Sequence, residues 1–362
     1  MSLKNLISHL KKRKNKKLLI IIGKKTYNNY LIKFLVSKLK TANKIVKIYF
    51  VKSFLPNIEE IKIIIKEFNI FQPDVILGVG GGKVIDYSKL LGVVEFSKKK
   101  NNLFKNVNFR QRKCSLYIVP TIAGSGSEST NFSVLYVGKK KFSLESKYMI
   151  VNKVFFIPQF VGSIPKRFLN AAVIDAISQS IEAIFSRKAN KISLEYSRKS
   201  INLFRKNFLG YIKNKTVKNT RGMLFASNYS GKSINIAKTN GPHSISYFFT
   251  KNYEILHGEA VSIFFKQFIK FYFYKMISNK DKKLKKKFNF LFKITNSKNI
   301  FEFFDFYQNF INKTKINKII SSYKINYKAI YKNIIKGINK DRLSNCPVTV
   351  STADLKKIII NN

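Results

Sequence analysis

Short apolar runs and amphipathic stretches alternate along the first 160 residues, the pattern expected of β-α-β units. Residues 18–22 form an aliphatic run that predicts a strand ending at Gly23. Residues 30–39 repeat apolar side chains at three- and four-residue intervals and predict a helix. A second strand follows at 45–51, a helix at 58–68 and a third strand at 75–79, which runs directly into Gly80, Gly81 and Gly82. A helix from about 83 to 93, a strand at 116–119 ending at Pro120, and β-rich stretches at 132–137 and 154–157 complete the series. Such alternation predicts a mainly parallel sheet covered by helices. After about residue 165 long amphipathic stretches take over, at 168–185, 191–208, 258–277, 299–311 and 323–338, with no convincing strand. Pro158, Gly162 and Pro165 mark the change. The expected design is an α/β domain over 1–160 and an all-α domain over 161–362, with no internal repeat.

Composition bounds the class of protein. With 45% hydrophobic and 14% aromatic residues, the 362-residue chain can bury a sizeable core, which argues against disorder along its whole length. Cys114 and Cys346 lie far apart with no metal-ligand spacing, which excludes a disulfide framework. No apolar run reaches the roughly 18 residues that span a bilayer. The short aliphatic run after the basic residues 11–17 lacks a signal-peptide core and cleavage site. These features predict a cytoplasmic protein without a membrane partner.

The formal charge of +51 changes the picture less than its size suggests. It predicts nonspecific binding to nucleic acid at low salt. A dedicated nucleic-acid surface is disfavoured, because 60 Lys against 9 Arg are scattered among Asn, Ile, Phe and Tyr from end to end. Base readout and bidentate phosphate grip favour Arg. Residues 282–287 form a dense basic patch, read as a solvated helix face.

Three constellations carry candidate chemistry. Gly80, Gly81, Gly82 and Lys83, with Asp86 in the first helical turn, follow a strand and open a helix, where free N–H groups and the helix dipole suit a phosphate. The spacing is not that of the common G-x-G-x-x-G turn. Residues 120–128, Pro-Thr-Ile-Ala-Gly-Ser-Gly-Ser-Glu, place small and hydroxyl side chains, Thr121 and Ser125 among them, at the end of another strand, where open α/β sheets bind ligands. Of the three histidines, His243 and His257 stand 14 residues apart. Upstream, Asp175, Gln179 and Glu182 fall within an arc of about 60° on one face of an otherwise apolar helix. Buried carboxylates of this kind need partners or a cation, and a divalent metal held by one Asp and two His is a sensible solution.

Taken together and in this order, the three motifs resemble the iron-containing (group III) alcohol dehydrogenase superfamily, relatives of which include dehydroquinate synthase and glycerol dehydrogenase. That superfamily shows a Gly-Gly-Gly-Ser-x-x-Asp turn, a Pro-Thr-Thr-Ala-Gly-x-Gly-Ser-Glu loop, an Asp-Ala-x-x-His helix and two histidines at this spacing. Residues 123–132, 141–144, 175–182, 238–247 and 341–348 are similar to its phosphonoacetaldehyde reductase branch. The resemblance implies a sheet domain binding NAD(P)H and a helical domain holding Fe²⁺ or Zn²⁺. It implies reversible hydride transfer to a small anionic aldehyde, phosphonoacetaldehyde by preference, in a homodimer. A general primary-alcohol or diol dehydrogenase is the alternative within the superfamily. A decayed scaffold that binds nucleic acid is the alternative outside it.

By the same resemblance Asp175, His243 and His257 are metal ligands, and Gln179 stands where the wider family has a third histidine. Asn57, Gly80, Gly81, Gly82, Lys83, Asp86, Thr121, Ser125 and Lys141 match cofactor-contact positions, with Lys83 in place of a serine and Ile122 in place of a threonine. Tyr247 is a candidate proton donor, with aromatic packing as the other reading, and Lys238 a candidate for the substrate anion. Gly23 occupies the place of an acid that binds the adenosine ribose, beside Lys24 and Lys25, so tolerance of NADPH is expected.

Overall fold

The computed structural model describes residues 2–11, 16–42, 44–96, 107–138, 140–161 and 164–361. Gly162, one of the expected breakpoints, and most of the basic stretch 11–17 lie outside them. Contacts divide the chain into two compact units, Met1–Ile122 with Gly126–Ile164, and Ala123–Ser125 with Pro165–Asn362.

In the first unit β1 (Lys17–Gly23), β2 (Ile45–Val51), β3 (Val75–Gly80), β6 (Ser115–Pro120) and β9 (Lys153–Val154) form one parallel sheet in the order β2-β1-β3-β6-β9. Two short antiparallel pairs accompany it: β4 (Val94–Glu95) with β5 (Asn108–Phe109), and β7 (Phe132–Val137) with β8 (Lys140–Glu145). The helices of this unit are α1 (Leu3–Lys11), α2 (Lys24–Tyr27), α3 (Tyr30–Lys40), α4 (Ile58–Phe71) and α5 (Gly82–Leu90).

Both faces of the sheet are covered, which is why β1 is aliphatic from Leu18 to Ile22 and β3 carries no polar side chain, rather than alternating. Leu18, Ile20 and Ile22 pack with Leu6 and Leu10 of α1 and Ile32, Leu35 and Leu39 of α3. Leu19 and Ile21 pack on the other side with Ile58, Ile61 and Ile64 of α4 and with Ile85 of α5. Asn29 caps α3 by accepting from the Leu31 N–H, and Asn57 caps α4 by accepting from the Glu60 N–H.

The register places Ile22 beside Val79, and Gly80 beside Pro120. Gly23, the glycine turn and the loop after β6 therefore emerge at one edge, beside the point where the chain leaves β1 for neighbours on opposite sides. Of the expected 154–157 stretch only Val154 lies in a strand of the sheet, paired together with Lys153 before it.

Among the described residues the regular elements of the second unit are helices: α6 (Lys166–Phe185), α7 (Lys191–Lys213), α8 (Val217–Ala237), α9 (Gly241–Asn252), α10 (His257–Ser278), α11 (Lys282–Thr295), α12 (Ile300–Thr314), α13 (Ile316–Ser322), α14 (Tyr327–Lys336), α15 (Lys340–Leu343) and α16 (Thr352–Ile360). Helix α6 packs against α7, α8, α10, α11 and α12. Among the described residues it alone is long and apolar enough to cross a membrane, and the 89% burial of its apolar window marks it as a core helix. In α11, Lys282, Lys283, Lys285 and Lys286 are exposed, as a solvated face requires, while Lys287 donates to the Ser186 carbonyl at 2.5 Å.

Candidate functional site

In the α/β unit the glycine turn is built for close approach. A Cβ on Gly80 would meet Val84 at 2.6 Å, and one on Gly81 would meet Ile122 at 3.0 Å. Gly81 is the N-cap of α5 and supplies no side-chain hydrogen bond, so no capping side chain occupies the first amides of the helix. Thr121, at the end of β6, is 1% exposed, and its Oγ1 has no hydrogen-bond partner among the described residues. An uncapped helix start beside an unsatisfied buried hydroxyl fits a phosphate-bearing cofactor.

Asp86 turns inward. Its Oδ1 accepts from Ser127 Oγ at 2.5 Å, its Oδ2 from the Val134 N–H at 3.3 Å, and Lys89 Nζ lies 3.7 Å away. Burial raises its pKa against the opposing pull of Lys89 and Ser127. Lys89, with no exposed surface, donates to the Ser127 carbonyl at 2.9 Å, to Thr130 Oγ1 at 2.9 Å and to the Phe132 carbonyl. Burial pushes its ammonium down to about 8, against Asp86 and Glu128. This pair ties α5 to the segment 127–134.

Lys83 is half-buried and donates to the Ser53 carbonyl in the β2–α4 loop; burial lowers its pKa. Asn57 spends its side-chain oxygen on capping α4, its N–H bonds Tyr87 Oη at 2.7 Å, and its backbone bridges to Tyr136. Tyr136 is the register partner of Lys141, so the structure brings Asn57 and Lys141 to the same short ladder. Ser125 belongs with the helical unit, whereas Thr121 belongs with the sheet.

In the helical unit, α6, α9 and α10 bring three ligand atoms together. Asp175 Oδ1 lies 3.2 Å from His243 Nε2 and 3.9 Å from His257 Nε2, and one atom from each residue falls within 4.8 Å of the other two. A tetrahedral ion with bonds of about 2.0–2.1 Å separates its donors by roughly 3.3 Å, so the set fits a divalent cation.

Glu182 supplies what His243 needs behind it. Its Oε1 lies 2.5 Å from His243 Nδ1, and its Oε2 accepts from the Asn240 N–H at 2.8 Å. With Nδ1–H donating to that carboxylate, Nε2 faces the cluster and would become a ligand atom once a metal displaces its proton. Burial alone would lower the His243 pKa, but Glu182 and the hydrogen bonds to Asp175 and Glu182 outweigh it and raise it to about 10. His257 opens α10, whose N-terminus is held by a bidentate pair of Arg167 with the fully buried Glu259 at 2.7 and 2.8 Å. The Tyr247 ring stacks on the His257 imidazole with centroids 5.7 Å apart and planes 10° apart, the packing arrangement.

Gln179 does not present its amide oxygen to the three donors. Its Nε2 donates to Asp175 Oδ2 at 3.2 Å, and its Oε1 lies 3.1 Å from Ser230 Oγ. Lys238 follows α8 with φ 62° and ψ 172°, a backbone conformation natural to glycine. Its neighbours hold that shape: Asn345 Nδ2 donates to the Ala237 and Thr239 carbonyls at 2.9 and 3.0 Å, and Glu182 takes the Asn240 N–H.

Sequence reasoning missed Lys89, Ser127, Arg167 and Glu259. Asp86 and Lys89 one turn apart in a helix between two apolar strands were a readable sign of a buried pair.

Fold and donor set together define a metal-binding α/β-plus-helical architecture, and the comparisons agree. Residues 1–161 match the iron-containing alcohol dehydrogenase family and residues 170–362 match the C-terminal region of the Fe-containing alcohol dehydrogenase family. The chain belongs to the iron-containing alcohol dehydrogenase family.

A 4-hydroxybutyrate dehydrogenase from Clostridium kluyveri is 30% identical over 236 residues, covering 64% of this chain and 63% of that protein. A phosphonoacetaldehyde reductase from Streptomyces viridochromogenes is 23% identical over 215 residues, 55% of this chain and 53% of that one. The chain thus spans less than two thirds of these curated relatives. A sulfoacetaldehyde reductase from Bifidobacterium kashiwanohense, solved in complex with NAD⁺, shares the fold with a TM-score of 0.86 at 18% identity, covering 99% of this chain and 95% of that one.

Proposed function

We propose that the protein is a metal-dependent, NAD(P)H-linked alcohol dehydrogenase or aldehyde reductase whose substrate is a small anionic aldehyde, such as phosphonoacetaldehyde. The observation that carries this reading is the convergence of Asp175 Oδ1, His243 Nε2 and His257 Nε2 in front of a second carboxylate, Glu182. When bound, a divalent ion such as Fe²⁺ or Zn²⁺ supplies Lewis acidity to a carbonyl, and the nicotinamide supplies the hydride.

The chain's own residues do the rest. Asp175, His243 and His257 hold the ion, and Glu182 keeps the His243 proton on Nδ1. Stacking by Tyr247 fixes the plane of the His257 ring, and this role is favoured over proton donation. Gly80, Gly81, Gly82 and Thr121 receive the cofactor phosphates. Asp86 and Lys89 fix the segment around Ser127 on which that surface depends. Asn57, Lys83, Ser125 and Lys141 complete the cofactor contacts in this reading.

Lys238, in its strained conformation within a fixed turn, takes the anionic end of the substrate. The anionic substrates in the names of the three relatives support that choice. Gly23 carries no carboxylate to repel a 2′-phosphate, and exposed Lys24 and Lys25 follow it, so NADPH is accepted. A homodimer in the cytoplasm belongs to the same reading, and both cysteines, Cys114 and Cys346, are free thiols.

The test is a panel of phosphonoacetaldehyde, sulfoacetaldehyde, succinate semialdehyde and propanal with NADH and NADPH. Preference for the anionic aldehydes by kcat/KM, lost in Lys238→Ala, is expected. Equal or better turnover of propanal would assign the general alcohol dehydrogenase reading instead.

A further inference from the structure

Asp175 and Gln179 are one helical turn apart on α6, and the way they face each other bears on how many atoms this chain gives to the ion. Asp175 divides its two oxygens. Oδ1 faces His243 Nε2 at 3.2 Å and His257 Nε2 at 3.9 Å, whereas Oδ2 lies 3.2 Å from the amide nitrogen of Gln179. A carboxylate oxygen accepts hydrogen bonds only, so the amide group facing it has to be the NH₂; the carbonyl oxygen in that place would be repelled.

The other end of the amide is held as well. Gln179 Oε1 lies 3.1 Å from Ser230 Oγ on α8, and that hydroxyl is also 2.8 Å from the Ala176 carbonyl. Gln179 is 4% exposed and Ser230 fully buried. The single hydroxyl proton of Ser230 serves either the Ala176 carbonyl or Gln179 Oε1, so the amide is held by Asp175 on its nitrogen side and by a shared hydroxyl of α8 on its oxygen side.

We infer that Gln179 is a positioning residue and not a ligand. It holds Asp175 Oδ2, orients the carboxylate so that Oδ1 faces the two histidines, and leaves three protein donors among the described residues with the remaining coordination positions open. The inference rests on the metal reading of this site. Three protein ligands with open positions are the arrangement of a catalytic rather than a closed structural site. Gln179 therefore acts on the ion through Asp175, and its contribution is to donor geometry and affinity rather than to donor number.

The experiment uses the full chain loaded with Co²⁺, whose visible bands report the donor set, together with Zn²⁺ affinity measured by chelator competition. Gln179→Ala should leave the Co²⁺ band positions and intensities as in the wild type while weakening Zn²⁺ binding roughly 10- to 100-fold, the range for loss of a hydrogen bond behind a ligand. Ser230→Ala, which frees one end of the amide, should weaken binding less, again with unchanged bands. It carries the test alone if Gln179→Ala does not fold, with Gln179→Met as the volume-conserving replacement. Displaced Co²⁺ bands in Gln179→Ala or Gln179→Met, or an unchanged Zn²⁺ affinity in both Gln179→Ala and Ser230→Ala, would overturn the inference and leave the metal site standing. Wild-type protein that takes up no Co²⁺ would overturn the inference and the metal reading together.

Discussion

Each unit buries a cluster of charged side chains, and the two clusters solve the problem of burial differently. In the α/β unit Asp86 and Lys89 sit one turn apart on the same helix, with Glu128 near enough to act on Lys89, and Ser127, Thr130 and backbone groups take up their hydrogen bonds. That cluster is closed. In the helical unit Asp175 and Glu182 come from one helix face with His243 between them, and His257 faces the same Asp175 oxygen. That cluster turns three ligand atoms toward one another. Buried polarity alone marks architecture. Buried polarity with converging ligand atoms marks a place for a cation.

The largest effect should come from removing a donor. His257→Ala takes away one of the three ligand atoms and should abolish retention of the metal and turnover, while its thermal unfolding in chelator stays close to that of the wild type. Closely matched metal contents in variant and wild type would erase the contrast between the clusters. Glu182→Gln keeps the shape behind His243 and removes the charge; metal affinity should fall by roughly 10- to 100-fold, read by chelator competition.

The closed cluster should respond in stability instead. Lys89→Met leaves Asp86 buried and unpaired and should cost about 3–5 kcal/mol in denaturant unfolding, with metal content intact. Adding Asp86→Asn in the same chain should recover part of that loss. A pH series sharpens the same point. Lys89 releases its proton at about 8 in the folded protein against an ordinary 10.5, so between those values the unfolded chain binds more protons. Stability from this group therefore rises with pH across that window, by at most about 1.4 kcal/mol per unit, and Lys89→Met should lose that gradient. A gradient of unchanged slope in the variant would remove Lys89 as its source.

The smallest effect concerns the cofactor. Exchange of Lys24 and Lys25 for Glu should lower kcat/KM for NADPH and leave that for NADH nearly unchanged.

The sheet was legible because a strand buried on both faces is apolar along its length rather than alternating, as residues 18–22 and, with Gly78 among them, 75–79 are. Helix α6 was legible through its apolar length, and its polar face through the helical spacing of Asp175, Gln179 and Glu182. The two histidines stood out by their scarcity and spacing, but that all three donors meet depends on the packing of α9 and α10 on α6, which no local pattern carries. Helix α8 was missed as an element, and α11 was read only through its basic face at 282–287, because serine, asparagine and lysine dilute their apolar faces. The side to which Gln179 turns its amide is set by Ser230, fifty-one residues downstream, and no spacing rule reaches that far. The direction of Asp86, toward Ser127 and Lys89, was hidden for the same reason.

The central claim is that Asp175, His243 and His257 hold a divalent cation on which aldehyde reduction depends. Elemental analysis of purified wild-type protein and of His257→Ala, paired with the aldehyde reduction rate before and after chelation, tests it most directly. One divalent ion per wild-type chain, none in the variant, and a rate that disappears with the chelator and returns with added metal is the predicted result. Metal-free protein that reduces its aldehyde at the full rate would contradict it.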